Sequence, residues 1–220
     1  MITIVGLGPS GYSQLSTGAY RVIRSAPVLF VRTARHPVLD ELASEGISFE
    51  SMDYLYESSG TFEEVYARIA DRILCEAQDR GEVVYAVPGH PLVGERSVGI
   101  LMREARKRGV DVRIVGSESF IEASLEALGF GFAEGLKIID AMSMDEVSPS
   151  TDVGNLIYQV YDRAIASDVK LMLMEQYPDE FEITIITGAG TDNQRVETVP
   201  LYNLDRCDCD HLTTVYLPPL

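Results

Sequence analysis

The chain has 220 residues, 46% of them hydrophobic, and its 34 acidic against 18 basic side chains give a formal net charge of −16. That length can build a sizeable core, in one large domain or in two of about 110 residues, and the acidic balance disfavours nucleic acid or an anionic membrane surface as a partner. No apolar run approaches the roughly 18 residues of a membrane span, and Met1 leads into a predicted strand rather than a signal peptide. We therefore expect a cytoplasmic protein that binds neither nucleic acid nor membrane.

The first predicted strand, residues 2–5, ends in a glycine-rich loop over residues 6–11, Gly-Leu-Gly-Pro-Ser-Gly. Its spacing matches G-x-G-x-x-G, which is typical of dinucleotide sites that hold a phosphate at the start of the next helix. Pro9 has no amide to offer a phosphate, however, and helix signals begin only near Ser16. The motif alone therefore leaves a dinucleotide site open without establishing it.

A second predicted strand, residues 28–31, ends at Arg32. An NAD enzyme usually has an acidic residue there, whereas an arginine suits NADP. Arg32 and His36 could equally line a substrate pocket, and His36 before Pro37 is also a plausible entry into a helix. The pattern predicts an NADP-dependent oxidoreductase as one hypothesis among several.

The apolar strand Val83–Val87 is predicted to be buried in a parallel sheet and to end at Pro88. It is followed by Gly89, His90 and Pro91, a combination that forces a sharp turn. In open α/β sheets, ligands bind outside the carboxyl ends of the strands. We interpret the Pro-Gly-His-Pro loop as part of a ligand site, with a simple connecting loop as the alternative.

A fourth predicted strand, Val112–Val115, ends in Gly-Ser-Glu-Ser over residues 116–119. Three strand ends thus carry glycines or small polar residues. We expect them to form one ligand-binding edge, in an N-terminal α/β domain over residues 1–116 with a mainly parallel sheet. Thr61 and Glu64 predict the capped start of a long core helix in the same domain.

The remaining residues, 117–220, are expected to form a second α/β domain with a mixed sheet. Helices are predicted over residues 123–128 and 153–165. Strands are predicted over residues 136–139, 169–174, 183–187, 196–201 and 213–217.

The three cysteines, Cys75, Cys207 and Cys209, have no disulfide spacing, as expected in a reducing compartment. Cys207, Cys209 and His211 could supply three zinc ligands, but no fourth Cys or His follows at finger spacing. We therefore predict no metal site and a polar connecting loop at residues 207–211.

Taken together, the three loops resemble those of the tetrapyrrole methylase family, the class III S-adenosylmethionine-dependent methyltransferases. Residues 6–11 followed by Leu15-Ser16 resemble its opening G-x-G-P-G-D loop with Leu-Thr. Gly89-His90-Pro91 resembles its G-D-P motif with histidine in place of aspartate, and residues 116–119 resemble its Gly-x-Ser-like turn. The segments 31–37, 85–91 and 200–206 look most like the N-terminal methylase-like domain of MazG/YabN-type two-domain proteins.

The resemblance implies a two-domain tetrapyrrole methylase-like α/β fold, with S-adenosylmethionine or S-adenosylhomocysteine in a cleft between the domains, and a homodimer. It also implies an associated MazG-type nucleotide pyrophosphohydrolase, as a C-terminal domain or a separate protein. Carried over by motif, the cofactor contacts are Pro9, Pro88, Gly89, His90, Pro91, Val93, Ser119, Phe120, Met174, at the end of a predicted strand, Gly188 and Thr213. The implied substrate contacts are Gly8, Ser10, Arg32 and His36, and no catalytic base is designated.

The leading hypothesis is a methyltransferase acting on a small molecule that the sequence does not identify. The alternative is a catalytically idle S-adenosylmethionine sensor or dimerisation domain. His90 motivates this alternative because a neutral imidazole helps a cationic cofactor less than the aspartate of the family does.

Overall fold

Five parallel strands form the centre of the first of two units. The computed structural model describes all residues, 1–220, and the chain divides into the units Met1–Phe120 and Ile121–Leu220. The strands of the first unit lie in the order β3-β2-β4-β1-β5 and all pair in parallel. Their bounds are β1 Ile2–Gly6, β2 Leu29–Val31, β3 Glu50–Ser51, β4 Val83–Val87 and β5 Val112–Val115.

Helices cover both faces of this sheet, because alternate residues of its central strands are apolar on each side. Ile2 and Ile4 of β1 belong to one core, and Val5 belongs to the other. Hydroxyl caps define two helix starts: Ser16 accepts from the Ala19 amide, and Thr61 from the Glu64 amide, as predicted. The helices are α1 Thr17–Arg24, α2 Pro37–Ser44, α3 Asp53–Glu57, α4 Phe62–Arg80 and α5 Arg96–Lys107.

The second unit contains a mixed five-stranded sheet, which confirms the predicted sheet type. The strand order is β6-β7-β10-β8-β9; β6 and β7 are parallel and the other pairs are antiparallel. The elements from the unit boundary onward are α6 Phe120–Leu128, β6 Leu136–Asp140, β7 Gly154–Tyr158, α7 Arg163–Met174, β8 Glu182–Thr187, β9 Arg195–Pro200 and β10 Thr213–Leu217.

Two predictions for this unit are wrong. The predicted helix over 153–165 contains β7, whose Leu156 and Ile157 are both fully buried in the sheet. The predicted strand over 169–174 is the second half of α7. Leu, Met and Lys favour helix in that segment, and Asp162 caps the helix by accepting from the Ile165 amide at 2.8 Å. Met174 therefore ends a helix rather than a strand.

No helix is long and apolar enough to cross a membrane.

Candidate functional site

A backbone bridge joins the loops that follow β1 and β4. The Gly89 amide donates to the Gly8 carbonyl at 2.7 Å, and the Gly8 amide donates to the Gly89 carbonyl at 3.2 Å. Both residues have positive φ, +81° at Gly8 and +63° at Gly89, a conformation that favours glycine. The bridge fixes the Pro-Gly-His-Pro loop against the first glycine-rich loop.

The loop after β5 packs against the same point. A Cβ atom on Gly6 would lie 2.4 Å from the Gly89 carbonyl oxygen and 3.0 Å from the Ser117 amide nitrogen, so only glycine fits there. The Ser117 hydroxyl donates to the Gly6 carbonyl at 2.7 Å and accepts from the Ser16 amide at 3.0 Å. Ser16 in turn donates to the Gly116 carbonyl at 2.7 Å. The three strand ends therefore meet at one edge, as the sequence predicted.

His90 lies at this edge and stabilises a turn within the Pro-Gly-His-Pro loop. Its Nδ1 accepts from the Leu92 amide at 3.1 Å, while its carbonyl accepts from the Val93 amide at 3.0 Å. The half-buried imidazole lies against Gly116, where an added Cβ would be 2.4 Å from His90 Nε2. His90 thus lies at the joined strand ends and is only half-buried there.

Gly89 leaves an open position at the same edge. A Cβ on Gly89 would meet no protein atom within 4 Å, in contrast to Gly6. The flanking residues have different exposure: Pro88 and Val93 are half-buried and Pro91 is buried. A ligand could therefore approach the backbone of Gly89 closely.

Arg32, at the end of β2, forms an ion pair with Glu95, which no sequence motif marks. Its Nε lies 3.0 Å from Glu95 Oε2, in an ion pair that lacks the alignment of a hydrogen bond. Nη1 donates to the Tyr56 hydroxyl at 3.3 Å. Burial lowers the pKa of the Arg32 guanidinium, but Glu95 and the hydroxyls of Tyr56 and Tyr85 raise it by more, so the net shift is upward and the group stays charged.

Glu95 is itself held by the start of α5. It accepts from the Ser97 amide at 3.3 Å and from the Ser97 hydroxyl at 2.8 Å. Because the Ser97 proton goes to Glu95, the Tyr85 hydroxyl donates to Ser97 Oγ, at 3.0 Å. Burial, and next Glu95, raise the pKa of Tyr85 well above its ordinary value, so this donor keeps its proton. No signal in the sequence pairs positions 32 and 95, which lie in separate segments.

His36 supports the first glycine-rich loop. It is 8% exposed, and its Nε2 donates to the Gly8 carbonyl at 3.0 Å, which leaves Nδ1 as a buried acceptor without a partner. Burial lowers the pKa of His36, the bond to Gly8 opposes that shift, and the nearby Arg32 charge adds to it. In the same loop Pro9 is half-buried, and the buried Ser10 donates to Gln14 Oε1 at 2.6 Å.

The dinucleotide hypothesis is not supported by this geometry. The Gly8 amide, which a phosphate would need, is already bonded to Gly89. A short 3-10 helix, Tyr12–Gln14, separates the loop from α1, which begins at Thr17. We therefore discard the NADP-dependent oxidoreductase.

The remaining cofactor candidates lie at the unit boundary and in the second unit. Buried Ser119 precedes α6, which begins at Phe120. Gly188 and Thr213 lie at neighbouring ends of β8 and β10, where the Gly188 amide donates to the Leu212 carbonyl at 3.2 Å. Met174, by contrast, is the last residue of α7 and packs against the core of the second unit.

The segment over residues 207–211 is a loop in which both cysteines are half-buried and His211 is exposed. Cys207 and Cys209 pack against the apolar cluster of that unit. Burial raises the pKa of both thiols, that of Cys209 to about 11, which disfavours the thiolate that zinc requires. No group of three or more His, Cys, Asp or Glu side chains is placed to hold a metal ion.

Comparison with protein families gives a match over residues 1–205 to the model described as tetrapyrrole (corrin/porphyrin) methylases. The protein YabN of Bacillus subtilis (strain 168), described as uncharacterized, is 43% identical over 222 residues. That match covers 100% of this chain but 45% of the relative, so the chain spans under half of the length of YabN.

Solved structures share the fold at low identity. The uroporphyrin-III C-methyltransferase of Thermus thermophilus complexed with S-adenyl homocysteine (S-adenosylhomocysteine) has a TM-score of 0.70 at 19% identity, with 99% of this chain and 96% of that chain covered. A diphthine synthase has a TM-score of 0.73 at 18% identity, with 99% and 89% covered. These likenesses establish a two-domain methylase-like fold.

Proposed function

Because the chain belongs to the tetrapyrrole (corrin/porphyrin) methylase family, we propose that it is an S-adenosylmethionine-dependent methyltransferase acting on a small molecule. The observation that carries this proposal is the close packing of the strand ends at Gly6, Gly8 and Gly89, with open space beside Gly89. We call these packed strand ends the joined edge. It is also supported by the structural neighbour that is complexed with S-adenosylhomocysteine.

The residues of the joined edge fit such a cofactor. Gly89 lets a ligand reach the backbone, and the bridge to Gly8 orders the loop before binding, so less conformational entropy is lost on association. In this proposal the cofactor contacts are Pro9, Pro88, Gly89, His90, Pro91, Val93, Ser119, Phe120, Met174, Gly188 and Thr213.

Methyl transfer requires little of the protein beyond alignment of the methyl donor with the acceptor. When bound, S-adenosylmethionine would supply an electrophilic methyl group: the acceptor's lone pair forms a bond to the methyl carbon in line as the bond to the sulfonium sulfur breaks, and S-adenosylhomocysteine is the leaving group. The protein orients the acceptor and keeps its lone pair free, and no dedicated base is needed. Gly8, Ser10, Arg32 and His36 are the proposed acceptor contacts. Arg32 is the only one of the four that is held fully charged, because the neighbouring Glu95 raises its pKa.

Titration calorimetry with S-adenosylmethionine and S-adenosylhomocysteine tests the cofactor assignment. We expect saturable binding of both at one site per chain. If a folded protein, verified by circular dichroism, gives no heat with either compound at millimolar concentration, the cofactor assignment is wrong.

A second candidate function is a sensor or dimerisation domain that binds the cofactor without turning it over. The packing of His90 on Gly116 favours it, because an imidazole there supplies no negative charge beside a sulfonium. Transfer of a radiolabelled methyl group to any member of a panel of acceptors would exclude this candidate. Binding without transfer across the panel would favour it.

We also propose that the protein forms a homodimer and acts with a MazG-type pyrophosphohydrolase, as the resemblance implies. The length of YabN, of which this chain matches 45%, leaves room for a second domain in that relative. Light scattering on the purified chain tests the dimer: a monomer mass at micromolar concentration would contradict it. Co-purification with a tagged pyrophosphohydrolase tests the second partner.

A further inference from the structure

Only part of the hydrogen-bonding capacity of the Arg32 guanidinium is satisfied within the protein. Its Nε faces Glu95 and its Nη1 donates to Tyr56, but Nη2 has no protein partner. The side chain is 26% exposed, and of its nitrogens without a hydrogen bond only Nε is buried, so Nη2 is accessible to solvent. It also lies at the carboxyl edge of a parallel sheet, where α/β proteins bind ligands.

The carboxylate behind Arg32 holds the guanidinium in one orientation. The Glu95 side chain is only 8% exposed and is fixed by the amide and hydroxyl of Ser97. An arginine that is already oriented loses less side-chain entropy when it binds a planar anion. Glu95 is thus a positioning residue, and the solvent-facing nitrogen is the group left for a ligand.

An aromatic surface adjoins this group. The Tyr56 ring, whose hydroxyl binds Arg32, lies 6.5 Å from the Phe62 ring and 6.4 Å from the Tyr66 ring, centroid to centroid. Phe62 stacks on Tyr66 at 6.2 Å with an interplanar angle of 19°, yet it remains 62% exposed. Such a surface favours a flat or apolar body beside the charged group.

The surrounding charge limits how much negative charge a ligand can carry. Glu57 follows Tyr56 and Glu63 follows Phe62 in the chain, and both are exposed. The chain as a whole carries a net charge of −16. A polyanion would be repelled by this field, whereas one small anionic group can be satisfied by Arg32.

We propose that Arg32 Nη2 and the Tyr56–Phe62 surface bind the methyl acceptor, and that this acceptor is a small molecule with one carboxylate or phosphate and an aromatic or apolar body. This inference rests on the methyltransferase proposed above. It assigns contact to Arg32, Tyr56 and Phe62 and a positioning role to Glu95.

Calorimetry with fragment probes tests the site. Benzoate and phenyl phosphate represent the two sources of the anionic group, benzyl alcohol is the neutral analogue, and benzene-1,3,5-tricarboxylate is the polyanionic one. We expect one of the two probes with a single anionic group, benzoate or phenyl phosphate, to bind at least tenfold more tightly than the alcohol and the tricarboxylate. Equal binding of the alcohol, tighter binding of the tricarboxylate, or no binding of any probe would overturn the proposal.

Variants then locate the binding. Arg32→Met/Glu95→Gln removes both partners of the pair, so that no unpaired charge stays buried, and is expected to abolish binding of the anionic probe. Phe62→Ala is expected to weaken that binding severalfold. Glu95→Gln should lower the affinity, and a Glu95→Asp variant should recover part of it. Arg35→Met, in the same segment but exposed, is the matched control and should bind like the wild type. Unchanged binding by the double variant or by Phe62→Ala would contradict the assignment.

The same preparations are titrated with S-adenosylhomocysteine to separate the two proposals. Cofactor binding without binding of benzoate or phenyl phosphate would refute the acceptor site and leave the methyltransferase proposal standing. Binding of either anionic probe that is lost in the double variant, without any cofactor binding, would refute the methyltransferase and leave an anion site.

Discussion

The imidazole of His90 lies across Gly116, so closely that a Cβ atom on Gly116 would be 2.4 Å from His90 Nε2 and 2.6 Å from Cδ2. On its other nitrogen, the ring accepts from the Leu92 amide. His90 therefore closes a turn in its own loop and also covers the backbone of the loop after β5. This explains how a histidine can occupy the position of the family's aspartate: a ring nitrogen accepts from the amide two residues on, as an aspartate oxygen does in an Asx turn.

Replacing His90 with aspartate is therefore expected to preserve the turn and add a negative charge. His90→Asp should tighten S-adenosylmethionine binding by about 1–2 kcal/mol, through the attraction between the new carboxylate and the sulfonium charge. Binding of S-adenosylhomocysteine, which lacks the sulfonium charge, should change less. Calorimetry measures both. His90→Asn is the control, since it keeps the acceptor without the charge; equal affinity of the two variants would show that charge at this position does not matter.

Gly89→Val is expected to abolish cofactor binding, because its side chain would fill the open position beside the central loop. The structure supplies a matched control in Gly109, which has the same φ of +63° and where an added Cβ would likewise meet no atom within 4 Å. Both substitutions should destabilise the fold by roughly 1–3 kcal/mol, through backbone strain alone.

Urea unfolding measures the stabilities of these two valine variants, and calorimetry at equal folded fraction measures binding. Loss of binding in the Gly89 variant but not in the Gly109 variant is the expected result. If the Gly89 variant binds like the wild type, then the Pro-Gly-His-Pro loop is only a connector.

The sequence predicted the parts of the site that depend on local chemistry. Prolines and glycines marked where β4 ends, and the rule that parallel strands share a carboxyl edge brought Gly8 and Gly89 together. The pairing of Arg32 with Glu95 could not be predicted from the sequence, because it depends on which loop folds over the end of β2. Helix and strand are exchanged around α7 because a short, largely apolar segment such as 169–174 fits either element in sequence, whereas in the structure the helix starts from the cap at Asp162 and continues through it.

Gly6→Ala should be the most damaging single-methyl change at the joined edge. The added methyl would lie 2.4 Å from the Gly89 carbonyl oxygen and 3.0 Å from both Pro91 Cδ and the Ser117 nitrogen. Overpacking of this kind costs about 1–3 kcal/mol. Gly11→Ala, where nothing lies within 4 Å, is the control. Equal unfolding midpoints for the two variants would mean that the three loops separate at little cost.

His36 should make the stability of the first unit depend on pH. Its folded-state pKa is lowered from the ordinary value of 6.5, first by burial and further by the Arg32 charge, against the bond to the Gly8 carbonyl. Below pH 6.5 the unfolded chain therefore binds a proton that the folded chain excludes, and stability falls as the pH falls toward the folded-state pKa.

His36→Gln keeps a donor for the Gly8 carbonyl but cannot titrate, so it isolates this effect. The stability advantage of the wild type over the variant should be constant above about pH 7.5 and should shrink as the pH drops below the unfolded-state value. Urea unfolding at closely spaced pH values, with both proteins in the same buffers, provides the comparison. An advantage that stays constant down to about pH 5, or that grows as the pH falls, would mean that the buried imidazole accepts its proton at least as readily in the folded protein as in the unfolded chain.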